Sequence, residues 1–217
     1  MKKLFIAGNW KSNKTIADAK DWLEKVQINA NGATIVVLAP FITLPFLHEE
    51  IARRNLPLLL GSQNISKFDE GAYTGEVTGK MIKEVADWVI IGHSERRKYF
   101  SESDADLATK VEKAHAAGLK VIYCVPDDTT PIPSSVEVVA YEPVWAIGTG
   151  KTDTPENANA VVSSIKQKTG AVTVLYGGSV TADNVASFVK TQAIDGVLPG
   201  GASLDPEKFS RLIQASL

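Results

Sequence analysis

Trp88-Val89-Ile90-Ile91, a helical pattern over Asp104–Ala117, then Gly118 and Leu119-Lys120-Val121-Ile122-Tyr123: this stretch decides the fold. Two strand-length apolar runs flank one helix. Neither run alternates cleanly between apolar and polar residues, so both faces of each strand are expected to be buried. A parallel sheet covered by helices meets that need. Gly118 stands where a helix C-terminal cap is wanted.

The same unit repeats in both directions. Upstream, strands are predicted at Leu4–Ala7, Thr34–Ala39 and Leu58–Gly61, with helices at Ile16–Val26, Leu44–Arg54 and Gly79–Ala86. Downstream, strands are predicted at Val136–Tyr141, Val172–Tyr176 and Gly196–Leu198, with helices at Pro155–Lys168, Asp183–Val189 and Pro206–Ile213. Alternation alone allows a doubly wound sheet or a closed barrel. The count of eight strands favours the barrel, an α/β fold of the (β/α)8 or TIM type with eight parallel strands. No linker or low-complexity tract interrupts it, and residues 1–217 are expected to form one domain. One helix is missing. Between the fifth and sixth strands the chain reads Val125-Pro126-Asp127-Asp128-Thr129-Thr130-Pro131-Ile132-Pro133-Ser134-Ser135, and three prolines forbid a regular helix. That strap is just long enough for a parallel crossover. If Glu142 points inward, Val138 and Ala140 do too, while Glu137, Val139 and Tyr141 point outward. The strap is expected to cover only part of this flank, leaving Glu137 and Tyr123 wet and Val121 and Val139 as a residual apolar patch.

Composition is that of an ordinary globular chain: 44% hydrophobic, 22% charged, formal charge −2. That balance does not suggest nucleic acid or an anionic membrane as partner. The single cysteine, Cys124, cannot form an internal disulfide. The apolar start breaks at Gly8-Asn9, too short for a signal peptide. A cytoplasmic location is expected.

Polar residues gather just after strand ends, where a barrel builds its active site. Lys11 follows the first strand and reads either as an anion ligand or as a surface lysine. His93 follows the fourth and reads as an acid or electrophile, or as a satisfied core histidine. Glu95-Arg96-Arg97 beside it could be a structural ion-pair network. Glu142 follows the sixth, as a candidate base with a raised pKa or as a surface glutamate. The apolar, glycine-punctuated run Val144–Lys151 suits a lid, or a packed surface loop. Gly177-Gly178-Ser179 and Gly200-Gly201, after the seventh and eighth strands, form two turns on one rim where backbone N–H groups can approach a phosphate. His48 and His115 fall in predicted helices and read as surface residues.

Taken together, the segments Gly8–Lys11 (GNWK), Gly71–Glu76 (GAYTGE), Gly92–Arg97 (GHSERR), Ala140–Thr152 (AYEPVWAIGTGKT), Tyr176–Val180 (YGGSV) and Pro199–Leu204 (PGGASL) resemble triosephosphate isomerases. The resemblance runs from Phe5 to the C-terminal helix. It implies interconversion of dihydroxyacetone phosphate and D-glyceraldehyde 3-phosphate, in glycolysis and gluconeogenesis, with no cofactor and no metal. It implies that Glu142 moves the proton, His93 polarises the carbonyl, Lys11 faces the substrate's charge, Asn9 orients substrate and His93, and Glu95 accompanies Lys11. Gly148, Ser179, Gly200 and Gly201 would hold the phosphate. Pro143, Val144, Trp145, Ala146 and Ile147 would form the lid, with Ile147 and Leu198 as the apolar clamp over the base. Thr74 would reach a partner subunit's active site, with Gln63 and Arg97 supporting the interface of a homodimer or larger homo-oligomer. Three departures stand out: Pro199 before the glycine pair, Asp127 where a glutamate usually supports the lid tryptophan, and a chain some ~30 residues short of a typical barrel. Two other readings are open to such a chain: a different phosphate-binding barrel, either a lyase or another sugar-phosphate isomerase, and a catalytically weak scaffold, which only the lost helix favours. Neither gives a reason for Asn9, Lys11, His93 and Glu142 to occur together.

Overall fold

A computed structural model describes residues 3–145, 152–170 and 173–217. Eight parallel strands close a barrel in sequence order. They are β1 (Phe5–Asn9), β2 (Thr34–Ala39), β3 (Leu59–Ser62), β4 (Trp88–Ile91), β5 (Lys120–Val125), β6 (Val138–Tyr141), β7 (Thr173–Tyr176) and β8 (Gly196–Val197). The helices are α1 (Ile16–Lys25), α2 (Leu44–Arg54), α3 (Gly79–Lys83), α4 (Ser94–Tyr99), α5 (Asp104–Ala116), α6 (Pro155–Thr169), α7 (Val185–Val189), α8 (Gly201–Leu204) and α9 (Pro206–Ser216).

Local chemistry sets most helix ends. Thr15 with Asp18 and Ser103 with Asp106 form reciprocal capping boxes on α1 and α5. Asp205 caps α9, accepting from the Glu207 and Lys208 N–H groups. Gly118 lies at φ +74, the left-handed conformation that lets the chain leave α5 for β5.

Strand parity divides the core in two. Phe5, Ala7, Val36, Leu38, Trp88, Ile90, Ile122, Cys124, Val138, Ala140, Leu175 and Leu198 fill the barrel interior. Their neighbours, among them Val121, Tyr123, Val139 and Tyr141, face outward against helices and loops. The expected parity of strands five and six is therefore observed.

No helix forms between Val125 and Ser135. The exposed patch expected there is absent, however. Val121 and Val139 are fully buried and Tyr123 is 1% exposed. Ile132 and Val136 turn inward from the strap and pack against the outer core. Asp128 ties the strap to α6 through Ser164 (2.5 Å) and Lys168 (2.8 Å). Prolines exclude helical hydrogen bonding but not side-chain burial, so an irregular strap of turns suffices to cover the flank. Glu137 stays partly wet, as expected, and accepts from the Val121 N–H at 3.1 Å. His115 is half-buried rather than a plain surface residue, 3.3 Å from the same carboxylate.

Two short helices were not expected from periodicity. Neither α4 nor α8 spans two full turns, too few residues for an apolar period to show. Both sit at the strand-end rim and carry site residues.

Candidate active site

Asn9, Lys11, His93, Glu142, Gly177, Gly178, Ser179, Leu198, Gly200 and Gly201 line one cleft of about 370 Å³ at the C-terminal mouth of the barrel. They come from β1, β4, β6, β7 and β8, whose ends converge only because the barrel closes. Glu95 lies beside this set, bonded to Lys11. Ala146, Ile147, Gly148 and Val172 lie outside the described residues. Pro143, Val144 and Trp145 follow Glu142 directly, and Val144 and Trp145 are exposed at 54% and 55%.

Glu142 is 2% exposed. One carboxylate oxygen lies 3.0 Å from His93 Nε2. The other accepts the Ser94 N–H at 2.9 Å, a free donor at the start of α4. His93 Nδ1 accepts the Glu95 N–H at 3.2 Å. With Nδ1 as acceptor, a neutral imidazole carries its proton on Nε2 and donates it to Glu142.

Burial alone would raise the Glu142 carboxyl; the His93 ring, the Ser94 N–H and Lys11 outweigh it and hold the group below its ordinary value. The raised value expected from sequence is thus not found in this resting arrangement, because the His93 ring above all, then the Ser94 N–H at the start of α4, face the carboxylate in a way that strand-end position does not reveal. For His93, burial pushes the imidazole down, but the Glu142 carboxylate outweighs it and the net direction is up. Both shifts express one mutual interaction.

Lys11 adopts φ +52, uncommon for a residue with a side chain. The Asn9 Oδ1 stabilises that turn by accepting the Lys11 N–H at 2.9 Å. The Lys11 ammonium pairs with Glu95, so this glutamate is taken up by the site. Arg96 and Arg97 do form the structural network allowed for them, with Glu102 (2.7 Å) and Asp104 (2.6 Å). Arg97 also donates to the Gly92 carbonyl at 2.9 Å, so it is engaged within its own chain. Among the described residues, no hydrogen bond joins Asn9 to His93 in this arrangement.

The glycine turns have packing reasons as well as the expected one. A Cβ on Gly177 would meet Glu142 Cγ at 3.0 Å and Leu198 Cδ2 at 3.6 Å. The Glu142 stem and Leu198 therefore both border the space that a side chain on Gly177 would fill. A Cβ on Gly178 would strike the Tyr176 hydroxyl. Gly201, by contrast, has nothing within 4 Å, and its open space faces the cleft.

Sequence reasoning missed the supports. The indole N–H groups of Trp10 (3.2 Å) and Trp22 (3.0 Å) both donate to the Ser203 carbonyl and pin α8, which carries Gly201. Trp10 sits inside a quoted motif, but only the fold shows its bond. Gln63 reaches inward, donating to the Leu38 carbonyl at 2.9 Å. Pro199 keeps its carbonyl in use, accepting the Asn9 N–H at 2.9 Å. Asp127 folds back on its own turn, accepting from the Thr129 and Thr130 N–H groups at 2.8 and 2.9 Å.

A family model described as triosephosphate isomerase matches residues 4–216. The chain belongs to the triosephosphate isomerase family. Curated triosephosphate isomerases from Trichodesmium erythraeum (strain IMS101) and Mesomycoplasma hyopneumoniae (strain 7448) are 40% and 38% identical to it, each match covering 98% of this chain and 99% of the relative. One from Caldanaerobacter subterraneus subsp. tengcongensis is 38% identical over 255 residues, with the same coverage. These matches run longer than the 217 residues present, so triosephosphate isomerase relatives carry segments that this chain lacks. Among the described residues no group of histidine, cysteine and carboxylates could hold a metal ion, and no helix is long and apolar enough to cross a membrane.

Proposed function

We propose that this member of the triosephosphate isomerase family interconverts dihydroxyacetone phosphate and D-glyceraldehyde 3-phosphate by proton transfer through an enediolate. The observation that carries the reading is the buried Glu142 carboxylate, 3.0 Å from His93 Nε2, in a cleft shared with Lys11 and two glycine turns. Glu142 is the base. It rests on His93 and the Ser94 N–H. A substrate that takes those donors frees the carboxylate, and burial then makes it a stronger base. Neutral His93 donates from Nε2 to the substrate oxygen, and Lys11 offsets the negative charge. Asn9 and Glu95 hold Lys11 in place. Ser179, Gly200 and Gly201, with Gly148, receive the phosphate. By likeness to the family, Pro143–Ile147 are assigned as the lid and Ile147 with Leu198 as its apolar clamp. A coupled assay of isomerisation in both directions tests the activity, and no turnover would overturn it.

One consequence can be read by NMR. In Glu142→Gln the carboxylate that raises His93 is gone, while burial and Lys11 still lower it. The His93 titration is expected to move to lower pH than in wild type. An unchanged or higher value would mean that His93 does not sense Glu142.

We further propose one domain, a cytoplasmic location and at least a dimer. Residues 71–76, with Thr74, form an exposed loop after β3. Ile42, Tyr73, Tyr99 and Phe100 are exposed apolar side chains that follow β2, β3 and β4, three neighbouring strands at one rim. Such a patch suits a subunit interface. Thr74→Arg is expected to convert a dimer to monomer by light scattering and to lower specific activity. Full activity from a strictly monomeric wild type would exclude the proposal.

A further inference from the structure

Asp153 is only 5% exposed and lies one residue before Thr154, the N-cap of α6. Its Oδ1 accepts from the Thr154 N–H at 2.8 Å and from Asn157 Nδ2 at 2.9 Å. Its Oδ2 accepts from Asn157 Nδ2 at 2.8 Å and from the Tyr141 hydroxyl at 3.4 Å. Its own N–H donates to the Tyr176 hydroxyl at 2.9 Å. A single residue thus joins the start of α6 to the ends of β6 and β7.

The placement matters more than the number of bonds. Tyr141 immediately precedes Glu142. Tyr176 immediately precedes Gly177, whose missing side chain makes room for the Glu142 stem. The chain leaves β6 at Glu142 and returns at Asp153, so the Tyr141–Asp153 bond ties the two ends of the intervening segment. Capping does not require this carboxylate, because Thr154 Oγ1 already accepts the Asn157 N–H at 3.1 Å. Burying a carboxylate is costly unless it is well bonded, and this one spends a bond on the residue beside the base. Burial and the neighbouring Asp153 push the Tyr141 phenol up, so it remains a donor throughout the neutral range.

We infer that Asp153 is a positioning residue for isomerisation: through the Tyr141 hydroxyl it fixes the backbone that carries Glu142. The inference rests on Glu142 being the base. Asp153→Ala is expected to lower kcat about tenfold with KM within about twofold of wild type, the cost of a base set slightly out of line. Asp153→Asn keeps an acceptor and recovers most of the rate. Tyr141→Phe leaves the other bonds of Asp153 in place and is expected to match Asp153→Ala. The double variant Asp153→Ala/Tyr141→Phe should be no slower than the slower single, since both remove one bond.

A second readout is inorganic phosphate. A loosely held enediolate can eliminate it: the oxyanion pair becomes a C=O, the C=C pair moves one carbon along, and phosphate leaves with the C–O bonding pair. Phosphate released per isomerisation should rise several-fold in Asp153→Ala and Tyr141→Phe. A purely structural Asp153 would lower Tm and leave kcat and phosphate release unchanged, and that result overturns the inference. So does a double variant whose loss is the product of the single losses. If Asp153→Ala does not fold, Tyr141→Phe alone decides: full kcat with no extra phosphate release refutes. Glu142→Gln is measured alongside. If it is inactive while Tyr141→Phe and Asp153→Ala run at full rate, only this inference fails; if it is active, the assignment of the base fails first.

Discussion

Glu142→Gln is expected to lower kcat at least a hundredfold, within the 10²–10⁴ that a positioned base contributes, while the barrel stays folded. An amide oxygen can still accept the Ser94 N–H, now made at 2.9 Å. It cannot take a proton from carbon. The His93 Nε2–H then faces the amide NH2 or shares one oxygen with Ser94, and the ring cannot simply change tautomer because the Glu95 N–H occupies Nδ1 at 3.2 Å. One buried donor is left poorly paired, for about 1–3 kcal/mol of stability. Activity and stability therefore separate: a large fall in kcat with a modest fall in Tm. Steady-state kinetics and a thermal melt on the same sample check both. If more than about a tenth of kcat remained, less than ~1.4 kcal/mol of transition-state stabilisation would be lost, too little for the proton acceptor.

The largest effect on stability is expected at Gly196. β8 is two residues long and seals the barrel, Gly196 and Val197 pairing with Phe5 and Ile6 of β1 on one side and with Leu175 and Tyr176 of β7 on the other. A Cβ built on Gly196 lands on the Phe5 carbonyl oxygen, and the Phe5 carbonyl carbon and nitrogen are also within 3 Å. These are backbone atoms of the paired strand and cannot rotate aside. Relief requires opening the β1–β8 seam. Gly196→Ala is expected to cost roughly 3–5 kcal/mol, at the large end for a single change. For a chain of this size that is about 6–20 °C in Tm. Gly32→Ala is the control: nothing lies within 4 Å of a Cβ there, and only its φ of +84 opposes the change. Thermal melts of the two variants should differ clearly. A Gly196→Ala melt no lower than that of Gly32→Ala would show that the seam is not packed this way.

Much of this was legible along the chain, for a physical reason. Apolar runs such as Trp88–Ile91 and a cap such as Gly118 act over a few residues, so their signals sit together in sequence. The proline-rich strap announced the missing helix, because a ring that fixes φ and removes a donor acts at its own position. Strand parity followed from one inward residue, Glu142, because side chains alternate strictly. What the strap covers was not legible: Ile132 and Val136 pack against the outer core, where Val121 and Val139 are fully buried, through contacts that no local pattern encodes.

The site divides in the same way. Sequence by itself determined which residues stand at strand ends, since Asn9, His93, Glu142 and the glycine pairs each follow an apolar run. Only the tertiary structure decided their chemistry. The Ser94 and Glu95 N–H groups aim at Glu142 and His93 because α4 starts at that point of the rim. Trp10 and Trp22 pin α8 from across the chain. Asp153 reaches Tyr141 and Tyr176 because β6 and β7 lie side by side. A pKa or a hydrogen bond depends on distances between residues far apart in sequence, and closure of the barrel sets those distances.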